Sequence, residues 1–325
     1  MKKHKNWLLL ILVCVSAAVI AEVVLSMMRK TEDISLVYIP KIIDESNDFW
    51  TSLIEGATTA AEEYGVELEV MAPSSETDYE GQNEYLEQIL ENTKKPDALL
   101  ISPVSYTQST ELLHKIKDQG IRLVMIDSNI DADIADIIVS TDNLEAGKKL
   151  GAFAAQFLED GEQVAVIGHV QGSSTAMERE KGFREGLGDK EDAFTEVVYC
   201  GSRYEKAYEL AMELMEKYPN LGVIAGLNEY SAIGAARAVR DAGAQDKISM
   251  VGIDGSQEGI NMMEQGIFKG IVIQKPFKMG YLGVKYTIEM LQGKKAKGIV
   301  DAGSELVTLE NMYTSENEKL LFPFR

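Results

Sequence analysis

Short apolar runs alternate with stretches of helical period along most of the chain. Residues 34–39 predict a strand. Phe49, Leu53, Ala57, Ala60 and Tyr64 share one helical face, and Gly65 follows as a stop. Val66, Leu68 and Val70 alternate as a half-buried strand. Gln82, Leu86, Ile89 and Leu90 mark a helix, residues 98–101 a buried strand. A helix carrying Leu112, Leu113 and Ile116 ends at Gly120, before a strand over 123–126. The pattern then restarts. Strands are predicted at 164–167, 196–199, 223–225, 250–253 and 270–273, with helices at 176–187, 204–217, 232–241, 257–265 and 278–291. Regular βα alternation with near-continuous apolar strands argues for parallel sheets covered by helices on both faces. The repeats exceed one compact sheet and predict an α/β chain of two doubly wound domains.

The first 32 residues break this pattern. Lys2, Lys3 and Lys5 precede an apolar stretch, residues 7–28, interrupted only by Glu22. A helix over it spans about 33 Å, enough for a bilayer core of about 30 Å. Two readings stay open. Residues 8–21 can be the apolar region of a signal peptide cut after Ala21, or the whole segment can remain as a signal anchor. Val19 suits a cleavage site poorly and apolar residues continue past Glu22, which favours the anchor. Under both readings the body is expected outside the cytoplasm, at the cell membrane or secreted, with the N-terminus inside.

Composition is that of an ordinary globular protein, at 45% hydrophobic and 26% charged residues. Net charge is −20, and residues 33–325 hold 27 basic against 50 acidic groups. So acidic a body repels phosphate backbones and anionic lipid, which argues against nucleic-acid binding and against peripheral membrane binding. Of the two cysteines, Cys14 lies in the apolar segment, leaving Cys200 alone in the body. No disulfide framework or zinc knuckle can be built from one thiol. His4, His114 and His169 are scattered, so no metal site is expected, and no cofactor.

No dinucleotide fingerprint, P-loop or nucleophile elbow occurs. What remains is a set of polar groups at the carboxyl ends of predicted strands, where open α/β sheets bind ligands. Asp127 ends one such strand, Asn228 follows another, Asp254 ends a third and Gln274 a fourth. Each alone can be a turn residue or a helix cap. Arg179 flanks the apolar face of its helix near the start, a poor place for a cation beside the helix dipole. Its head group either snorkels or turns into a cleft. Phe49 and Trp50 are neighbours at opposite edges of one apolar arc. Both can be core, or at least one can wall a pocket. Asn47 can cap the same helix or bind ligand.

Several segments together resemble the type 1 periplasmic sugar-binding proteins of the ribose- and galactose-binding kind. They are Thr141-Asp142-Asn143 followed by Gly147, the run from Thr175 to Phe183, Leu227-Asn228-Glu229, the run from Val251 to Gly255, and the run from Ile273 to Pro276. The resemblance implies that Asn47, Phe49, Trp50, Asp127, Arg179, Asn228, Asp254 and Gln274 contact the ligand. Two departures stand out. The arginine that follows the first-domain aspartate in ribose binders is Ser128 here, and the second-domain aromatic falls near Ser202, with Tyr204 as a substitute. The loop at 41–46 is longer. These departures count against ribose and point to a different or larger sugar.

The resemblance also implies two lobes, 33–141 with 275–303 and 142–274 with 304–325, joined by three crossings that act as a hinge. The expected role is an extracytoplasmic solute-binding protein that hands a neutral sugar to an ABC importer. The alternative is a membrane-anchored subunit reporting sugar occupancy to a histidine kinase. Neither is an enzyme. A neutral polyol also suits two carboxylates, one guanidinium and several amides set against aromatic faces.

Overall fold

The computed structural model describes residues 34–295 and 298–321. Two six-stranded sheets carry the chain. In the first, β1 (Ser35–Ile39), β2 (Glu67–Val70), β3 (Ala98–Ile101), β4 (Arg122–Ile126), β5 (Ile137–Ser140) and β11 (Gly298–Asp301) run in the order β11-β5-β4-β3-β1-β2, all parallel. In the second, β6 (Gln163–Gly168), β7 (Phe194–Tyr199), β8 (Leu221–Gly226), β9 (Ser249–Ile253), β10 (Phe268–Gln274) and β12 (Ser304–Thr308) run β12-β10-β9-β8-β6-β7, with β12 antiparallel to β10. The central strands are buried on both faces, as their unbroken apolar runs require. The chain changes sheet after β5, after β10 and between β11 and β12.

Helices α1 (Asp48–Tyr64), α2 (Tyr79–Glu91), α3 (Thr110–Asp118) and α9 (Pro276–Leu291) accompany the first sheet. Helices α4 (Asn143–Ala154), α5 (Ser174–Leu187), α6 (Tyr204–Lys217), α7 (Glu229–Asp241) and α8 (Gln257–Glu264) accompany the second, and α10 (Ser315–Leu321) follows β12. Gly65 stops α1 in the left-handed conformation that a Cβ would strain, and its N–H bonds back to Ala61 and Glu62.

Elements β5, α4, β11, β12 and α10 fall where the periodicity predicts none. Helix α4 shows why. Its seam with α5 is built from glycines, which add nothing to an apolar stripe. A Cβ on Gly147 would stand 2.3 Å from the Arg179 carbonyl oxygen, and one on Gly182 would stand 2.1 Å from that of Leu144. The two backbones therefore touch, and that approach brings Asn143, the first residue of α4, against Arg179.

Among the described residues no helix is long and apolar enough to cross a membrane. The signal-peptide or anchor segment at 1–32 lies outside them.

Candidate ligand-binding cleft

In parallel sheets the strand C-termini share one edge, and here the two edges face each other. Asp127 follows β4 and Asp254 follows β9, and both take the left-handed backbone conformation, at φ 68° and 75°. Only Ser202 joins them among described non-glycine residues at positive φ. Aspartate tolerates this region better than most side chains, but the conformation still costs energy. Both strained turns present a buried carboxylate to one cavity.

That cavity lies between the two sheets. Lys41, Asn47, Phe49, Trp50, Glu76 and Asp127 line it from the first lobe. His169, Thr175, Arg179, Asn228, Glu229, Tyr230, Asp254 and Gln274 line it from the second. All eight of the main residues singled out in the sequence thus meet in one place. Arg179 is buried and turned into the cleft. Its Nε donates to Asn143 at 2.8 Å, its Nη1 donates to the Leu227 carbonyl at 2.8 Å, and Nη1 lies 4.0 Å from Asp254. Gln274 Nε2 donates to Asp254 at 2.6 Å, while its buried Oε1 has no partner among the described residues. Burial raises the Asp254 carboxyl, and Arg179 and Gln274 pull it back down.

Asn47 and Asn228 are caps as well as cavity residues. Asn47 Oδ1 accepts from the Trp50 N–H at 3.1 Å, and Asn228 Oδ1 accepts from the Ser231 N–H at 3.0 Å. Phe49 and Trp50 both reach the cavity, with ring centroids 5.1 Å apart and edge to face. The expectation that neighbours on a helix point apart fails because the cavity lies over the first turn of α1, within reach of both.

The three secondary candidates do not line the cavity. Ser128 is buried in its own lobe, where its Oγ donates to the Pro103 carbonyl at 3.0 Å. The Ser202 hydroxyl is spent on Glu76, to which it donates at 2.6 Å. Tyr204 packs on Tyr230 at 4.7 Å between centroids and donates to Glu229 at 2.8 Å, so Tyr230 forms the wall in front of it.

Six lining residues escaped the sequence reading. Lys41 and Glu76 lie in irregular loops, where no periodicity draws attention. Glu229 follows Asn228 as an ordinary acidic first-turn residue. Thr175 and Tyr230 read as helix positions, and His169 as an isolated histidine. Burial, with Arg179 and Lys41 nearby, holds His169 well below its ordinary pKa, so it is neutral. The lining then holds four carboxyl groups against two cations, more acid than the sequence suggested.

The lobes also bond each other across the cleft. Glu229 accepts from the Asp48 N–H at 3.3 Å and the Phe49 N–H at 3.2 Å, at the start of α1. Asp48 in return accepts from the Gln257 N–H at 3.0 Å, at the start of α8. Each lobe therefore supplies a carboxyl group as acceptor to unpaired N–H groups at a helix N-terminus of the other. Tyr230 donates to Asp44 at 2.6 Å, and Ser202 to Glu76, in the same sense. Burial, aided by Asp254 and Asp48, pushes the Glu229 carboxyl up to about 8 against the pull of the Tyr204 hydroxyl. Burial likewise raises Glu76, with Lys41 opposing.

Two doubly wound lobes closed over a polar, aromatic-walled cleft define a two-lobed solute-binding protein. The sequence model of the periplasmic binding protein domain matches residues 37–295, and the chain belongs to that family. It is 42% identical to a sugar transporter from Clostridium phytofermentans of known structure, with a TM-score of 0.80, covering 85% of this chain and 99% of that one. It is 28% identical over 254 residues to the D-allose-binding periplasmic protein of Escherichia coli (strain K12), covering 75% of this chain and 81% of the relative. An ABC transporter solute binding protein from Agrobacterium vitis with bound D-fucose has the same fold, at a TM-score of 0.84 and 24% identity over 88% of this chain and 99% of that one.

Proposed function

We propose that the cleft captures a neutral monosaccharide outside the cytoplasm and that the closed protein delivers it to an ABC importer. The observation that carries this reading is the pairing of two unlike walls. Phe49 and Trp50 present apolar faces, and Arg179, Asn228, Asp254 and the unpartnered Gln274 Oε1 present donors and acceptors. A sugar ring has C–H faces for the first and hydroxyl edges for the second. The sugar-binding and ABC-transporter names of its relatives support the same reading.

In this reading Asn47, Phe49, Trp50, Asp127, Arg179, Asn228, Asp254 and Gln274 contact the sugar. The lobes, 33–141 with 275–303 and 142–274 with 304–325, rotate about the three crossings, and ligand held by both favours the closed state. Residues 7–28 tether the protein to the membrane.

Isothermal titration and thermal shift with D-allose, D-ribose, D-arabinose, D-fucose, D-glucose and D-galactose test the binding. Saturation at 100 times Kd stabilises by about 2.7 kcal/mol. Response to an amino acid and to none of the sugars overturns the reading. Loss of uptake of the bound sugar on deletion of the protein tests the importer role, and fractionation with membranes after a salt wash tests the tether.

A further inference from the structure

The seam between the closed lobes has a gap in it. Two cross-lobe hydrogen bonds join the lobes here. The Tyr106 N–H donates to the Gly172 carbonyl at 3.2 Å, and the Ser202 hydroxyl donates to Glu76. Chain neighbours of all four bonded residues line a groove between the lobes, with Tyr79, Ser105 and Gln108 on the first lobe and Gln171, Tyr199 and Arg203 on the second. His169 lines this groove and the central cavity alike. It is buried, its Nε2 pairs with the Thr175 hydroxyl at 2.9 Å, and its Nδ1 has no partner among the described residues. A buried ring nitrogen without a partner is costly, so a ligand group that meets it is favoured.

The loop at 201–202 leaves the gap open. Gly201 has no side chain, and Ser202 stands where the resemblance places an aromatic. Both take the left-handed backbone conformation, at φ 60° and 52°. No bulky side chain from this loop crosses the groove. A protein whose lobes seal completely holds only what its cavity encloses, whereas a gap in the seam lets a bound ligand extend beyond it.

We propose that this groove is a second saccharide subsite, so that the ligand is a disaccharide or glycoside with one ring in the cleft, the next unit in the groove and the linkage beside His169. This rests on the sugar reading above and extends its ligand from one unit to two. Tyr79 and Tyr199 offer aromatic faces, and the Tyr199 hydroxyl is held by Glu180 at 2.7 Å. Gln108, Gln171 and Arg203, all exposed, offer donors and acceptors at the rim. The neutral His169 ring either donates to the linkage oxygen or accepts from an adjacent hydroxyl.

Titration calorimetry on the full chain tests this. The probes are the tightest monosaccharide of the panel and its derivatives carrying one α- or β-linked glucosyl unit at each hydroxyl in turn. One of these disaccharides should bind about 10-fold tighter than the free monosaccharide, the worth of one or two net hydrogen bonds. The double variant Gln108→Ala, Arg203→Ala should remove that gain and leave the Kd of the monosaccharide unchanged. Gln171→Trp, which fills the groove, should abolish binding of the disaccharide and spare the monosaccharide. The proposal is overturned if no disaccharide binds tighter than the monosaccharide, or if the groove variants weaken both alike or neither. Should one variant lose its circular dichroism, the other carries the test. Wild type that binds no sugar at all refutes the sugar reading itself, a result distinct from these.

Discussion

Glu229 offers the sharpest handle on closure. It sits at the start of α7 in the second lobe, is buried, and accepts the Asp48 and Phe49 N–H groups of α1 in the first lobe. Opening the cleft returns those groups to water, so the bonds count only in the closed state. Glu229→Ala removes the acceptor and leaves two helix-terminal donors facing a buried gap. At about 1 kcal/mol for each donor, closure loses about 2 kcal/mol. Where binding requires the closed form, apparent affinity falls about 30-fold through the closed population. Glu229→Gln keeps an amide oxygen for one donor and should lose less. Titration calorimetry gives the affinity. Trp50, the one tryptophan among the described residues and buried beneath the cleft, reports closure by its fluorescence. A Glu229→Ala protein with wild-type Kd and an unchanged fluorescence response would refute the reasoning, because the cross-lobe bonds would then carry no closure energy.

Three further outcomes follow from the same geometry. Glu229 is pushed up to about 8 when closed and returns to the ordinary carboxylate range when open, so closing takes up a proton between those values. Affinity is highest in acid, falls as pH rises toward about 8 and levels above it; calorimetry in buffers of different ionisation enthalpy should show proton uptake, and Glu229→Gln should reduce it. Arg179→Lys keeps the charge but not the fork that reaches Asn143 and the Leu227 carbonyl together, so binding should weaken at least about 10-fold; an unchanged Kd would mean the fork is not used. Gly182→Ala drives a methyl into the Leu144 carbonyl and should destabilise the second lobe by about 1–3 kcal/mol in urea unfolding, whereas an unmoved midpoint would show that the α4–α5 seam can open without cost.

How much of this was legible in the sequence depends on the kind of signal each residue leaves. Residues 98–101 and 204–217 predict a strand and a helix with the bounds the structure shows, because an unbroken apolar run and a clean helical stripe determine them. The paired aspartates 127 and 254 were legible too, since each terminates a buried strand. Helix α4 was not, because close backbone contact between helices is written in glycines rather than in a stripe. Strand β11 was not, because it lies at a sheet edge and is largely exposed. Within the cleft, Asp127, Asn228, Asp254 and Gln274 were legible from the strands they end or follow, whereas Lys41 and Glu76, in irregular loops, were not. Lys41 and Glu76 acquire meaning only when folding sets them beside Asp127 and Trp50. The cross-lobe bonds of Glu229 and Asp48 join residues 180, 181 and 209 positions apart, and no local pattern encodes such contacts.

A crystal structure of the full chain with its tightest sugar bound is the most direct examination of the central claim. The account predicts one ring stacked against Phe49 or Trp50, with its hydroxyls reaching Arg179 and Asp254 of one lobe and Asp127 of the other. A sugar held by a single lobe, or seated outside the cleft, would contradict it.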